Sequence, residues 1–223
     1  GSITWLAKNE EQAHRIAHGL VMTNVGDPGP MTYKRSRRGT APIDRAVEHV
    51  LRHRDAPFRL KDFSPYGYDE RQYCSPGFNL PVGSLTRTPF GEYPEYHTSA
   101  DDLSLVTPEA LADSFDVYRT VVDVLEHNRT FVNQNPKCEP QLGRRGLYDA
   151  IGGESETKER QMAMLWLLNL CDGTRTLLEV AERADLPFAR VKRLASLLAE
   201  HNLLAEDEGP APSVRLPASS SAH

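Results

Sequence analysis

The spacing of apolar residues changes period several times over the first 129 positions of the chain. Short runs at residues 19–26 (GLVMTNVG), 58–63 (FRLKDF) and 79–85 (NLPVGSL) read as strands. Between the first two, residues 41–54 (APIDRAVEHVLRHR) carry the repeat of an amphipathic helix. The region closes on residues 107–128, where Thr107 suits an N-cap and Pro108 the first helical position. Leu111, Phe115, Tyr118, Val122 and Leu125 recur there at helical spacing, which predicts that this stripe lies on a sheet. Strands alternating with helices make residues 1–129 an α/β domain.

After residue 129 the pattern lapses: residues 130–153, rich in Asn, Pro and Gly, read as a linker or an arm. Periodicity returns over residues 154–208. Met162, Leu165, Trp166 and Leu168 mark one helix; Leu177, Leu178, Val180 and Ala181, then Val191, Leu194, Leu197 and Leu198, mark two more across a short turn. That is the pattern of a helix-turn-helix within a small winged-helix domain. Residues 209–223 are small, polar and proline-rich, the composition of a disordered tail.

Composition narrows the function classes. A chain of 223 residues, 39% hydrophobic, can bury a core, and its net charge of −5 favours neither nucleic acid nor an anionic membrane. Its longest basic run is YKRSRR at residues 33–38. No stretch approaches the roughly 20 apolar residues of a spanning helix, and no charged-then-apolar leader is visible, so the expected location is cytoplasmic. Cys74, Cys138 and Cys171 lack C-x-x-C spacing and are expected as free thiols.

Candidate chemistry sits in three stretches. Residues 92–106 (EYPEYHTSADDLSLV) place His97 just before Asp101 and Asp102. Neutral imidazole binds zinc, and a carboxylate commonly orients such a ring by accepting its other N–H. Residues 24–30 (NVGDPGP) put Asp27 directly after a strand, where open α/β sheets collect ligand groups. Residues 64–83 form a long aromatic- and glycine-rich connection with Asp69, Glu70 and Arg71 in its middle, a length that marks a functional loop. Each stretch alone has a plainer reading as a solvated loop or turn. His49 and His53, four residues apart, have metal-pair spacing on a helix of surface type. Trp5 and Trp166 read as core anchors, and Cys74 as a packing thiol.

Taken together, GDPGPMTYKRSRRG, PYGYDERQYCSPGFNLPVGSLTRTP and EYPEYHTSADDL resemble the co-catalytic dizinc aminopeptidases, relatives of glutamate carboxypeptidase and glutaminyl cyclase. With the winged helix behind them, they look more closely like bacterial aminopeptidase-like proteins, some associated with polysaccharide biosynthesis. The resemblance implies a partial three-layer αβα zinc-peptidase-like domain and two zinc ions in the complete domain. It implies Asp27 and His97 as metal ligands, Asp101 as the acceptor that orients His97, and Asp69 and Tyr73 as walls of the substrate pocket. Arg71 is a further candidate, a guanidinium able to hold a substrate carboxylate. The remaining ligands and the general-base Glu have no match here, and the resemblance puts them upstream of Gly1.

The function expected is therefore hydrolysis of a peptide or related amide by a domain completed elsewhere. One alternative is a non-catalytic relative whose pocket binds a peptide-like ligand; another is a winged-helix transcriptional regulator. Residues 154–208 carry 11 acidic against 7 basic side chains, Arg190, Lys192 and Arg193 among the latter. An acidic module gains little from counterion release, so a protein partner or a second copy is expected at the winged helix rather than DNA.

Overall fold

The computed structural model describes residues 1–147 and 154–207, in two compact units, the first of residues 1–128 with 185–190 and the second of the remainder. The first contains α1 (Ser2–Lys8), α2 (Glu10–Ala13), β1 (Gly19–Met22), β2 (Met31–Lys34), α3 (Pro42–Arg52), β3 (Phe58–Lys61), α4 (Glu70–Tyr73), β4 (Val82–Thr86) and α5 (Pro108–His127). Its sheet runs β1-β4-β2-β3, with β1/β4 and β2/β3 parallel and β4/β2 antiparallel. All five residues of β4 are buried, as a central strand requires, and β1 is an edge strand whose Met22 is 62% exposed. The strands at β1, β3 and β4 and the helices α3 and α5 fall where the apolar pattern puts them; β2, hidden in the basic run, does not show in it.

Side chains alternate across the sheet. Val21 and Val82 face a cluster with Leu6 of α1, Cys74 and Leu80. Tyr33 and Leu85, paired across β2 and β4, face the layer of α3 and α5. Asp44, fully buried, accepts from Ala41 N (2.9 Å), Ser36 N (2.7 Å), Ser36 Oγ (2.6 Å) and Tyr33 Oη (2.8 Å). One carboxylate thereby satisfies the first turn of α3 and ties it to β2.

Helix α5 begins as its sequence demands, Thr107 Oγ1 accepting from Ala110 N at 3.1 Å. Its buried face is not the expected one. Ala110, Ser114, Val117, Val121 and Val124 are buried, whereas Leu111, Phe115 and Val122 are 43%, 67% and 61% exposed. Small residues bring the helix close enough to its layer for Ser114 Oγ to donate to Val25 O at 2.7 Å, and the bulkier stripe is turned outward. Of that stripe, Tyr118 is partly buried and donates to Leu85 O. Trp5, expected in the core, is 42% exposed, while Cys74 is buried with its S–H aimed at Leu80 O and Val82 O.

The second unit contains β5 (Thr130–Asn133), α6 (Glu154–Leu170), β6 (Asp172–Thr176), α7 (Leu177–Ala184), α8 (Phe188–Glu200) from Val191 onward and β7 (Leu204–Glu206). Its antiparallel sheet runs β6-β5-β7. Leu177, Leu178, Val180, Ala181, Val191, Leu194 and Leu198 are buried as their spacing suggests, whereas on α6 it is Ala163, Met164, Leu167 and Leu168 that are buried and Met162 is 55% exposed. The stretch expected as a linker instead opens with the central strand of this sheet. Four residues carry too little alternation to stand out beside Asn and Pro, yet Asn133 is buried and donates to Leu168 O at 2.6 Å. Residues 148–153 of that stretch and the expected tail at 209–223 lie outside the described residues. No helix among the described residues is long and apolar enough to cross a membrane.

Candidate functional site

The loop after β1 is built around Asp27, which is 7% exposed. Its carboxylate accepts from Gly29 N (2.9 Å), from Thr88 N (3.1 Å) and from Thr88 Oγ1. A Cβ on Gly29 would stand 2.1 Å from Thr88 Oγ1 and 2.7 Å from Asp27 Oδ1, so only glycine lets the backbone pass here. Asn24, at φ 48°, donates to Tyr68 Oη (2.9 Å) and Thr88 O (3.3 Å). Beneath the loop lies Arg87, 8% exposed, which donates to Gly29 O (2.9 Å) and pairs with Asp113 of α5 (2.8 Å). Arg54 also pairs with Asp113. Pattern reasoning passes over Arg87 because a single arginine after a strand carries no spacing signal.

The loop that follows β4 carries the second expected group. Glu92 anchors it to β3 through Arg59 (2.6 Å) and Lys61. The bond to Lys61, and then that to Arg59, hold the Glu92 carboxyl below its usual range against slight burial. His97 is exposed, at φ 60°, with its ring stacked 4.0 Å from that of Tyr96. Asp101 is exposed, its backbone N–H donating to Thr98 O at 3.2 Å. Asp102 caps the next turn by accepting from Ser104 N (2.8 Å) and Ser104 Oγ (2.6 Å), which lower its pKa. The two loops meet where Thr107 N donates to Gly26 O at 2.9 Å; nearby, burial first, then the charges of Asp101 and Asp27, raise the Tyr93 hydroxyl.

The third stretch divides. Asp69 accepts from Ser2 Oγ (2.9 Å) and, with Tyr73, lines a recess of about 380 Å³ beside β1, along with Trp5, Ile16 and Val82. Arg71 turns toward the other side of the loop, its guanidinium 5.7 Å from the Tyr66 ring centroid. Tyr66 and Tyr68 meet Phe90 edge-on at 5.5 and 5.2 Å, and Phe90 lies 6.1 Å from Tyr96. A chain of rings thus runs from the third stretch to the His97 loop. Tyr68, desolvated within it, has its pKa pushed up to about 12.

Among the described residues, no three His, Cys, Asp or Glu side chains stand together as a metal group. The oxygens of Asp27 are engaged by Thr88 and Gly29, and His97 points from an exposed turn. These two residues do not by themselves make a zinc site. The His49 and His53 rings stand 4.4 Å apart, without a third ligand of that kind.

Fold and loops together define a two-part protein: an α/β domain with its candidate groups at the carboxyl end of an edge strand, then a winged helix. The chain belongs to the family described as a domain of unknown function, DUF4910, which matches residues 1–128. Residues 129–206 match a winged helix-turn-helix family. A Clostridium acetobutylicum protein named for polysaccharide biosynthesis and an aminopeptidase-like domain is 49% identical over 204 residues, covering 92% of this chain and 47% of its own length. A crystal structure from Clostridium acetobutylicum, titled as a peptidase, superposes with a TM-score of 0.85 at 45% identity, over 93% of this chain and 46% of that one. The chain therefore spans about half the length of the relatives it matches. An aminopeptidase from Aneurinibacillus sp. strain AM-1 aligns at 16% identity and a TM-score of 0.46, over 56% of this chain and 29% of that one, too distant a likeness to carry weight.

Proposed function

We propose that the first unit is part of a cytoplasmic, zinc-dependent aminopeptidase-like hydrolase acting on a peptide or on a related amide in a saccharide precursor. The observation that carries this reading is that the Asp27 loop meets the end of the His97 loop, Thr107 N donating to Gly26 O at 2.9 Å. Two expected ligand stretches, about 70 residues apart in sequence, meet at one end of the sheet, where α/β folds hold their chemistry. The Clostridium acetobutylicum relatives, named for an aminopeptidase-like domain and as a peptidase, support a peptidase-like reading. In this reading Asp27 and His97 are this chain's contribution to a two-metal centre, and the other ligands come from the part of the relatives that it does not span. Asp101 orients His97, while the second unit serves a protein partner or a second copy.

The test compares zinc content by elemental analysis in this chain and in a protein of the relatives' full length. About two zinc ions per full-length chain, against a small fraction here, are expected for a co-catalytic centre. His97→Ala and Asp27→Asn in the longer protein should each remove metal and abolish release of aminoacyl chromophores. Full metal and activity in both variants would refute the ligand assignment. A second reading, a binding domain without hydrolysis, is favoured by the hydrogen bonds that already engage both oxygens of Asp27. It predicts no zinc in either protein.

A further inference from the structure

The face of the sheet opposite α3 and α5 holds a cavity of about 170 Å³ that the metal chemistry does not use. Its floor is polar, with Thr32, Lys34, Lys61, Ser84 and Thr86 projecting from three strands. Its walls are Tyr66, Tyr68 and Phe90. Glu70 and Ser84 both line it, and each holds a buried atom without a hydrogen-bond partner among the described residues: Oε2 of Glu70, which is 0% exposed, and Oγ of Ser84, which is 2% exposed. Orphaned buried polar atoms cost about 1–3 kcal/mol each unless something fills their valence. A single water needs only about 10–15 Å³ on the same measure, so the space exceeds one water roughly tenfold.

The surroundings are arranged to hold Glu70 in this position. Lys34 Nζ donates to Glu70 Oε1 (2.8 Å) and to Tyr66 O (2.8 Å), leaving Oε2 as the open acceptor. Gly67 closes over the pair so tightly that a Cβ there would lie 2.1 Å from Glu70 Oε1 and 2.7 Å from Lys34 Nζ. Tyr66 is 68% exposed yet braced by Arg71 behind it and Phe90 at its edge.

Charge selects the occupant. Lys34 is paired with Glu70 and Lys61 with Glu92, so the lining has no unbalanced charge to draw in either a cation or an anion. An apolar molecule would leave both orphaned atoms unpaired. What remains is a neutral molecule with several hydroxyls, one donating to Glu70 Oε2 and another exchanging a hydrogen bond with Ser84, its C–H faces against aromatic rings. We infer that this cavity is a binding subsite for a neutral polyol of monosaccharide size, closed by the 64–68 loop.

The inference is independent of zinc, so its test is run with a chelator present. D-glucose, D-galactose and N-acetyl-D-glucosamine are titrated against the chain, read by saturation-transfer NMR and by calorimetry. At least one should bind saturably, with a Kd on the order of 1 mM or tighter, and Glu70→Gln should weaken it tenfold or more. Tyr66→Ala, a change at an exposed position that leaves the core untouched, should weaken it comparably and guards against a folding defect in the buried variant. No saturable sugar binding, an unchanged Kd in Tyr66→Ala, or tighter binding of methylammonium or acetate than of any sugar would each overturn the inference. The first of these outcomes assigns the cavity to ordered water.

Discussion

Individual side chains decide whether the loop after β1 keeps its shape. Gly29→Ala must push Thr88 off Asp27, and should cost about 1–3 kcal/mol in urea unfolding, the range of overpacked sites. Pro28→Ala, at an exposed neighbour, serves as the control. Arg87→Met removes a buried cation that holds Gly29 O and Asp113; although Arg54 still pairs with Asp113, the loss of the buried bond to Gly29 O should make it costlier than Arg59→Met at the half-exposed rim. His49 sets a pH dependence. Burial, and secondarily the charge of His53, lower its pKa to about 4 from an unfolded value near 6.5. Between those values the unfolded chain binds a proton that the folded one refuses. Stability is complete above about pH 6.5 and falls as pH drops toward 4, by on the order of 3 kcal/mol in all. His49→Gln should flatten that part of a chemical-denaturation profile. Asp27 and His97 stand out in the sequence as candidates, since strand ends and His-Thr-x-x-Asp spacing leave marks there. The orphaned atoms of Glu70 and Ser84 do not, because nothing along the chain says that a loop and a central strand will meet.

At the scale of elements, periodicity located helices more securely than it oriented them. The apolar stripe of α5 predicted a face, but two stripes share that helix, and the one with the smaller residues is buried. Hydrophobic size favours burial; closeness of approach to the sheet favours Ala, Ser and Val, and here closeness prevails. Val121→Ala should therefore lose about 2 kcal/mol, whereas Val122→Ser should change stability by no more than about 0.5 kcal/mol, read from denaturation midpoints. Strand order is a different kind of omission. The antiparallel step between β4 and β2 is set by how connections cross the sheet, which local pattern does not encode.

For the molecule as a whole, charge is the quantity that reads directly from composition. Acidic residues outnumber basic ones across residues 154–208 despite Arg190, Lys192 and Arg193. In a mobility assay on duplex DNA the chain should show no binding that strengthens steeply as salt is lowered. A steep salt slope that Lys192→Gln with Arg193→Gln abolishes would return the winged helix to the regulators. The two-unit division was visible as a loss of periodicity, though its position shifted because β5 is too short to announce itself.

The rim of the sheet at β1 has a consequence for handling the isolated chain. That strand offers a row of backbone amides and carbonyls on its outer side, next to an exposed Met22, with none of the proline or lysine that blunts such rims. Once warmed, neighbouring molecules are expected to dock strand to strand there. Light scattering should rise with protein concentration, and the apparent melting temperature should depend on scan rate, so that shelf life is governed by a rate of colloidal loss rather than by an equilibrium.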